Sequence, residues 1–150
     1  MKVLIDTSVV VAALIPGHVH SGIAAPFLKA AQAGRFDLVF SAHSLAETYA
    51  VLTRYPIRPP ISPAVAWNLV ENNVVNYAQL VTLSPGDYRD VVEQQSQQDL
   101  PGGLIYDAVI AKAAELANVD YVATFNVGHF QRVWPARAGQ IQAPDTIPIT

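Results

Sequence analysis

Short apolar blocks alternate with longer stretches of mixed polarity along this chain. Val3-Leu4-Ile5, Phe36 to Phe40 (with Asp37-Leu38-Val39-Phe40 its core), Gln79 to Leu83 and Tyr121-Val122-Ala123-Thr124 are of strand length and rich in β-branched or aromatic residues. They read as strands. Helices are expected between them, over Ser8 to Leu14, Ser21 to Ala33, from Ser41–Ser44 to about Arg54, Ser62 to Asn72-Asn73, Ser84 to Gln98, and Leu104 to Asn118. Their boundaries carry recognisable chemistry. Thr7 and Ser8 can cap the first helix. Pro16-Gly17 stops it, and Gly34 caps the second, in which Pro26 is tolerable only near the first turn. Ser62 with Pro63, and Ser84 with Pro85 and Asp87, are start signals, and Pro101-Gly102-Gly103 is a break.

The proline-rich segment from Tyr55 to Pro63 reads as a stiff connector. The tail after Phe130 reads as irregular, with one edge strand at Ile141 to Ala143 stopped by Pro144. Strands alternating with helices predict an α/β sandwich, in which a parallel sheet is covered on both faces through right-handed crossovers.

Composition narrows this picture. A length of 150 residues, 51% hydrophobic and 14% charged, predicts one globular domain rather than a disordered chain. Cysteine is absent, which removes disulfides, zinc–thiolate sites and thiol nucleophiles. Asp6 interrupts the first apolar run too early for a secretion signal. The longest run, Val9 to Ile15, is far short of the roughly 20 residues a membrane span needs. A soluble, cytoplasmic protein is the expectation. The formal net charge of −3 supplies no basic field, so any nucleic acid must be held by a local patch or through bound metal.

Candidate chemistry concentrates at strand tips. Asp6 ends the first strand, where open parallel sheets place their ligands. Glu47 follows the second strand, Asn126 follows the fourth, and Asp107 lies early in a helix that must begin near the same edge. At about 100° per residue, Ala108, Lys112 and Glu115 mark the wet face of that helix. Asp107 lies roughly 100° away, over Ala111, Ala114 and Asn118, where a carboxylate is costly unless paired. A first-turn acid complementing the helix dipole is the plainer alternative. Glu47 faces away from Leu45, Tyr49 and Leu52, and Ser44-x-x-Glu47 could equally be a capping box. His18 and His20 read as surface loop residues.

The ordered set Val3-Leu4-Ile5-Asp6-Thr7-Ser8, Ser44-Leu45-Ala46-Glu47, Tyr106-Asp107-Ala108-Val109-Ile110-Ala111 and Thr124-Phe125-Asn126-Val127-Gly128-His129-Phe130 resembles the PIN-domain ribonucleases, in particular the VapC-type toxins of toxin–antitoxin pairs. The resemblance implies a three-layer α/β/α sandwich with a central parallel sheet of four to five strands, the first and fourth adjacent. It implies an endoribonuclease dependent on Mg²⁺ or Mn²⁺. Asp6, Glu47 and Asp107 match the family's three acids. Its fourth position, often aspartate, is here Asn126, which brings an oxygen but no charge.

On this pattern Asp6 and Asp107 would hold the metal and Glu47 would orient or deprotonate the attacking water. Ser8, less so Thr7, could meet a phosphate, with capping as the alternative. His129 could contact RNA or simply occupy a loop, and Arg132 and Arg137 could form a phosphate patch or a solvated pair. A VapB-type antitoxin, its C-terminal segment over the acidic groove, and a homodimer are the implied partners. The mean hydropathy of +0.26 is compatible with a buried partner surface.

Two other functions fit parts of the chain. A haloacid-dehalogenase-type phosphoryl-transfer domain also opens on a strand ending in Asp, but needs a second Asp where this chain has Ser8. A PIN-like binding module without catalysis finds its one hint in Asn126.

Overall fold

Five parallel strands form one sheet in the computed structural model, which describes residues 1–149. They are β1 (Lys2–Ile5), β2 (Asp37–Ser41), β3 (Ala78–Val81), β4 (Tyr121–Ala123) and β5 (Ile141–Gln142), in the spatial order β3-β2-β1-β4-β5. The first and fourth strands are adjacent as expected, with Val3 opposite Tyr121, Leu4 opposite Val122 and Ile5 opposite Ala123. β1 is thus central, and Val3, Leu4 and Ile5 are all completely buried. That is why the run is continuously apolar rather than alternating.

Seven α-helices cover the sheet: α1 (Thr7–Leu14), α2 (Ser21–Gln32), α3 (Ala42–Thr53), α4 (Pro63–Val70), α5 (Pro85–Gln97), α6 (Leu104–Leu116) and α7 (Val127–Val133). Successive strand residues point to opposite faces. Val3, Ile5, Leu38 and Phe40 therefore join the core beneath α1 and α2, with Phe27 and Phe36. Leu4, Val39 and Val122 join the core beneath α6 and α7, with Ile110 and Phe130. A smaller cluster, Val11, Ile15, Leu52, Ala66 and Val70, ties α3 and α4 to α1. The result is the three-layer α/β/α arrangement.

Several boundaries differ from the sequence expectation. α1 begins at Thr7 and is capped by Asp6, whose side chain accepts from the Ser8 N–H; Thr7 and Ser8 are its first helical residues. The carboxyl at the strand tip takes the cap, and both hydroxyls are left for other uses. Pro26 lies in the interior of α2, not its first turn. Asn72 and Asn73 do not end a helix, because α4 runs on into a π-helical turn, Glu71–Val75. α6 stops at Leu116, two residues early, and Asn118 adopts the left-handed conformation at φ 50°.

The tail is less irregular than its composition suggests. α7 is followed by a 3₁₀ turn, Pro135–Gln140, before β5. Val127, Phe130 and Val133 recur every three residues, a helical spacing too short to stand out in the sequence. Phe130 and Val133 share a core with Ala108, which is consequently buried rather than on a wet face.

Ser84 and Asp87 form the expected reciprocal cap on α5. Ser84 Oγ accepts from the Asp87 N–H at 3.1 Å, and Asp87 Oδ2 accepts from the Ser84 N–H at 2.8 Å. Ser84→Ala is expected to lower the thermal midpoint by about 2–4 °C without changing activity, since Ser84 does not line the cleft of Thr7, Ser8, Glu47 and Asn126. A midpoint equal to wild type in thermal denaturation would show that the cap does not stabilise α5.

Candidate active site

Asp6 anchors the C-terminal edge of the sheet. Its side chain is almost wholly buried, and one oxygen, Oδ2, takes every protein hydrogen bond it receives. Ser8 Oγ donates at 2.7 Å, Thr124 Oγ1 at 2.9 Å and the Ser8 N–H at 3.4 Å. Both hydroxyls also accept backbone N–H groups from the segment after β4. Phe125 N–H donates to Ser8 Oγ at 3.1 Å, and Asn126 N–H donates to Thr124 Oγ1 at 2.9 Å. Because each hydroxyl accepts from the backbone, its own proton is directed at Asp6. This web locks the tips of β1 and β4 together and leaves Asp6 Oδ1 without a protein donor among the described residues.

Electrostatics link Asp6 to two further acids. Burial pushes the Asp6 carboxyl above its ordinary range; the Ser8 and Thr124 hydrogen bonds oppose this, and Glu47 adds to it. Asp107, in the first turn of α6, is pushed up to about 6. Burial is the main cause, then the charge of Asp6, with His129 opposing and Glu47 reinforcing. An acid that only complemented the helix dipole would have its charged form favoured. Asp107 has it disfavoured, so burial, with the neighbouring carboxylates behind it, outweighs the dipole. The His129 ring lies beside this carboxyl, with Nδ1 3.6 Å from Asp107 Oδ2.

Glu47 does not cap α3. Ser41 does, accepting from the His43 N–H at 3.1 Å, while Ser44 is buried in the helix with its hydroxyl unpaired among the described residues. Glu47 instead meets His43, one helical turn earlier, at 3.0 Å between Oε2 and Nε2. The His43 ring in turn lies parallel to Tyr106, with centroids 5.4 Å apart. An i, i+4 pair on α3 is thereby held against the first turn of α6, next to Asp107.

Asn126 is exposed and precedes α7. Its carbonyl accepts from His129 and Phe130, and its side chain makes no capping hydrogen bond. Together with Thr7, Ser8 and Glu47 it lines a cleft of about 380 Å³. His18, His20 and Phe125 line the same cleft, so the two histidines read as surface loop residues share it with Glu47. Arg132 and Arg137 do not line it. Arg137 donates to Gln140 at 2.7 Å and lies 5.8 Å over the Trp134 ring. Ser8, considered for a phosphate, is committed to Asp6 and Phe125. Sequence reasoning missed His43 and Thr124 as site residues; an i, i+4 His–Glu pair and a hydroxyl at a strand tip were the available signals.

The donor set fits a hard divalent cation. Asp6, Glu47 and Asp107 feel one another's charge, and among the described residues no lysine or arginine pairs with any of them. Asp6 also keeps one oxygen free. No three His, Asp or Glu side chains form a ready-made cage among the described residues, which accords with an ion that retains several waters beside one or two carboxylates.

The PIN domain family's sequence model matches residues 3–133, from β1 to the end of α7. The chain belongs to the PIN-domain family. Ribonuclease VapC27 of Mycobacterium tuberculosis is 32% identical over 111 residues, 73% of this chain and 74% of that protein. Ribonuclease VapC40 of the same species is 38% identical over 77 residues, 51% of this chain and 55% of that one. Among solved structures, M. tuberculosis VapC20, a toxin that cleaves the sarcin–ricin loop, superposes with a TM-score of 0.67 at 15% identity, over 85% of this chain and 92% of that one. FitAcB from Neisseria gonorrhoeae superposes with a TM-score of 0.64 at 18% identity, over 97% and 99%. Both show the PIN fold. PIN domains are typically ribonucleases and generally metal-dependent.

Proposed function

We propose that this PIN domain is an endoribonuclease dependent on Mg²⁺ or Mn²⁺ and the toxin of a type II toxin–antitoxin pair. The observation that carries the reading is the convergence of Asp6, Glu47 and Asp107 with no lysine or arginine to offset them, Asp107 being pushed up to about 6. Perturbed carboxylates of this kind mark sites that use their charge.

Asp6 and Asp107 are the residues that would hold the ion, Asp6 through its free Oδ1. When bound, the ion would lower the pKa of a coordinated water and offset charge developing on the phosphate. Glu47 then acts as the base that orients the water and takes its proton. With Nε2–H donating to Glu47, His43 fixes which carboxylate oxygen stays free for that proton. Asn126, its amide uncommitted, supplies a neutral hydrogen bond to a substrate phosphate. One tightly held ion, rather than two, follows from the missing fourth charge.

The relatives named as VapC ribonucleases support the toxin assignment, and with it a VapB-type antitoxin as partner, a homodimer and a cytoplasmic setting. No helix among the described residues is long and apolar enough to cross a membrane. The haloacid-dehalogenase alternative fails at Ser8, which is tied to Asp6 where that chemistry needs an acid.

The test is cleavage of RNA by purified protein. Wild type should cut with Mg²⁺ or Mn²⁺ and stop on chelation, and Glu47→Gln should slow turnover by roughly 10²–10⁴-fold, the usual contribution of a general base. Equal cleavage by wild type and Glu47→Gln would trace the activity to a contaminant and favour a binding module.

A further inference from the structure

Four aromatic rings stand in a row beside the acids, drawn from three separate parts of the chain. Phe125, after β4, is stacked on His20 with centroids 4.3 Å apart and planes 14° from parallel. His20 is 5.8 Å from His18, and His18 is 6.3 Å from Tyr55, in the connector after α3. The same clefts are lined by α3, through Glu47 and Val51 one turn apart, and by Arg54 just past its end. Glu47 and Val51 line both the cleft with the histidines, about 380 Å³, and a second of about 360 Å³ that reaches Arg54 and Tyr55. The two clefts are therefore one groove that starts at the acidic site and leads away from it. The histidine segment projects into solvent here, since Val19 between the two rings is 85% exposed.

We infer that this groove holds single-stranded RNA on one side of the scissile phosphate, with unstacked bases against the aromatic row and Arg54 at their phosphates. The inference rests on the nuclease reading for its direction and not for its chemistry. Aromatic and histidine rings take bases of any sequence when those bases are free of a duplex, because every base has a π-face. Each cleft is within the range of roughly 300–1,000 Å³ that suits small planar ligands. A chain of net charge −3 cannot bind RNA by a general basic field. Stacking plus one well-placed guanidinium is the means it has, and among the described residues Arg54 has no acidic partner.

The hydrogen bonding is arranged for recognition as well. The His20 N–H donates to His18 Nδ1 at 3.1 Å. Neutral His18 thus carries its proton on Nε2, a donor available to a base edge.

The experiment uses the full chain carrying Asp6→Asn, so that RNA is bound and not cut. Anisotropy of a labelled eight-nucleotide single strand is compared with that of a hairpin duplex. The ring of His20 caps nothing in α2 but stacks on Phe125, so His20→Ala is compared with wild type in a thermal melt first; Tyr55→Leu is a second variant that keeps apolar volume. Each is expected to weaken single-strand binding roughly ten-fold, the scale of one lost base stack, with duplex binding unchanged. Arg54→Ala should reduce the slope of log affinity against log salt by about 1. Unchanged single-strand affinity in both ring variants, or equal loss for strand and duplex, overturns the groove.

A third outcome also overturns it: unaltered RNA binding together with lost binding of a co-expressed antitoxin, which would make the row a protein-docking surface. Failure of the nuclease reading is separate. Wild type would then cut no RNA with either metal, while ring-dependent binding by the Asp6→Asn chain persisted.

Discussion

Asp6→Asn is expected to abolish RNA cleavage, by roughly a thousand-fold or more, while leaving the melting temperature equal to or above that of wild type. All three donors that reach Asp6 converge on Oδ2. An asparagine oxygen can occupy that place, keep the α1 cap and keep the tips of β1 and β4 joined. The amide nitrogen then replaces Oδ1, and the negative charge that a cation or a water would meet is gone.

Stability moves the other way because the folded Asp6 carboxyl lies above its ordinary range. A group raised in the folded state stabilises fully below its unfolded pKa and loses that contribution as pH rises through the folded value. At neutral pH, a carboxyl raised in the folded state is therefore a net cost, which the neutral isostere removes. Asp6→Ala is the poorer experiment: it deletes the cap and leaves Ser8 and Thr124 hydroxyls without their acceptor, so lost activity and lost structure would arrive together. Turnover assays with chelated and metal-loaded protein, alongside circular dichroism melts, separate the two. Retained cleavage by a well-folded Asp6→Asn protein would remove Asp6 from the chemistry.

Asp6 could be recognised in the sequence because a lone carboxylate ending a fully apolar strand has few structural uses. Helical phase made Asp107 legible for a similar reason, since it lies next to Ala111, which is buried. Phase also erred on that helix, at Ala108, because what covers a helix face is decided by elements elsewhere, here α7. The adjacency of the first and fourth strands came from the PIN-like resemblance, while alternation supplied the parallel sheet; the places of the other strands came only with the fold.

Glu47 was ambiguous until the fold showed Ser41, not Ser44, at the start of α3. A one-turn difference in where a helix begins decides whether an acid caps it or stands free. His18, His20 and Tyr55 were illegible for another reason: residues 35 or more apart become neighbours only once α1, α3 and the connector are placed, and loop histidines carry no periodicity. The Ser8–Thr124 pair around Asp6, 116 residues apart, belongs to the same class. Strand tips can be read from a sequence; what crosses between them cannot.

The response to Mg²⁺ or Mn²⁺ should itself depend on pH, with Asp107 setting the window. In metal-free protein Asp107 titrates at about 6, against an ordinary value of 3.8. Its raised pKa favours the folded state below about pH 4, and that contribution is lost as pH rises through about 6. Metal requires the charged form, so protons and cation compete for the same oxygens.

At pH 7.5 a cation present at about 100 times its dissociation constant should stabilise the fold by about 2.7 kcal/mol, a rise of about 5–10 °C in melting temperature. At pH 5, where about a tenth of Asp107 is charged, the rise should fall to about half of that, and RNA cleavage should fall with the charged fraction. Asp107→Asn makes the assignment specific. Without metal it should melt higher than wild type at pH 7.5, by less at pH 5 and no higher below about pH 4, since the cost accrues between the unfolded value of 3.8 and about 6. With Mn²⁺ it should gain little at either pH. Melts across a pH series with and without Mn²⁺ measure all of these on one protein. A metal-induced rise that stays constant from pH 7.5 to 5, or survives in Asp107→Asn, would place the cation on other groups and leave the raised carboxylate as a structural cost of the fold.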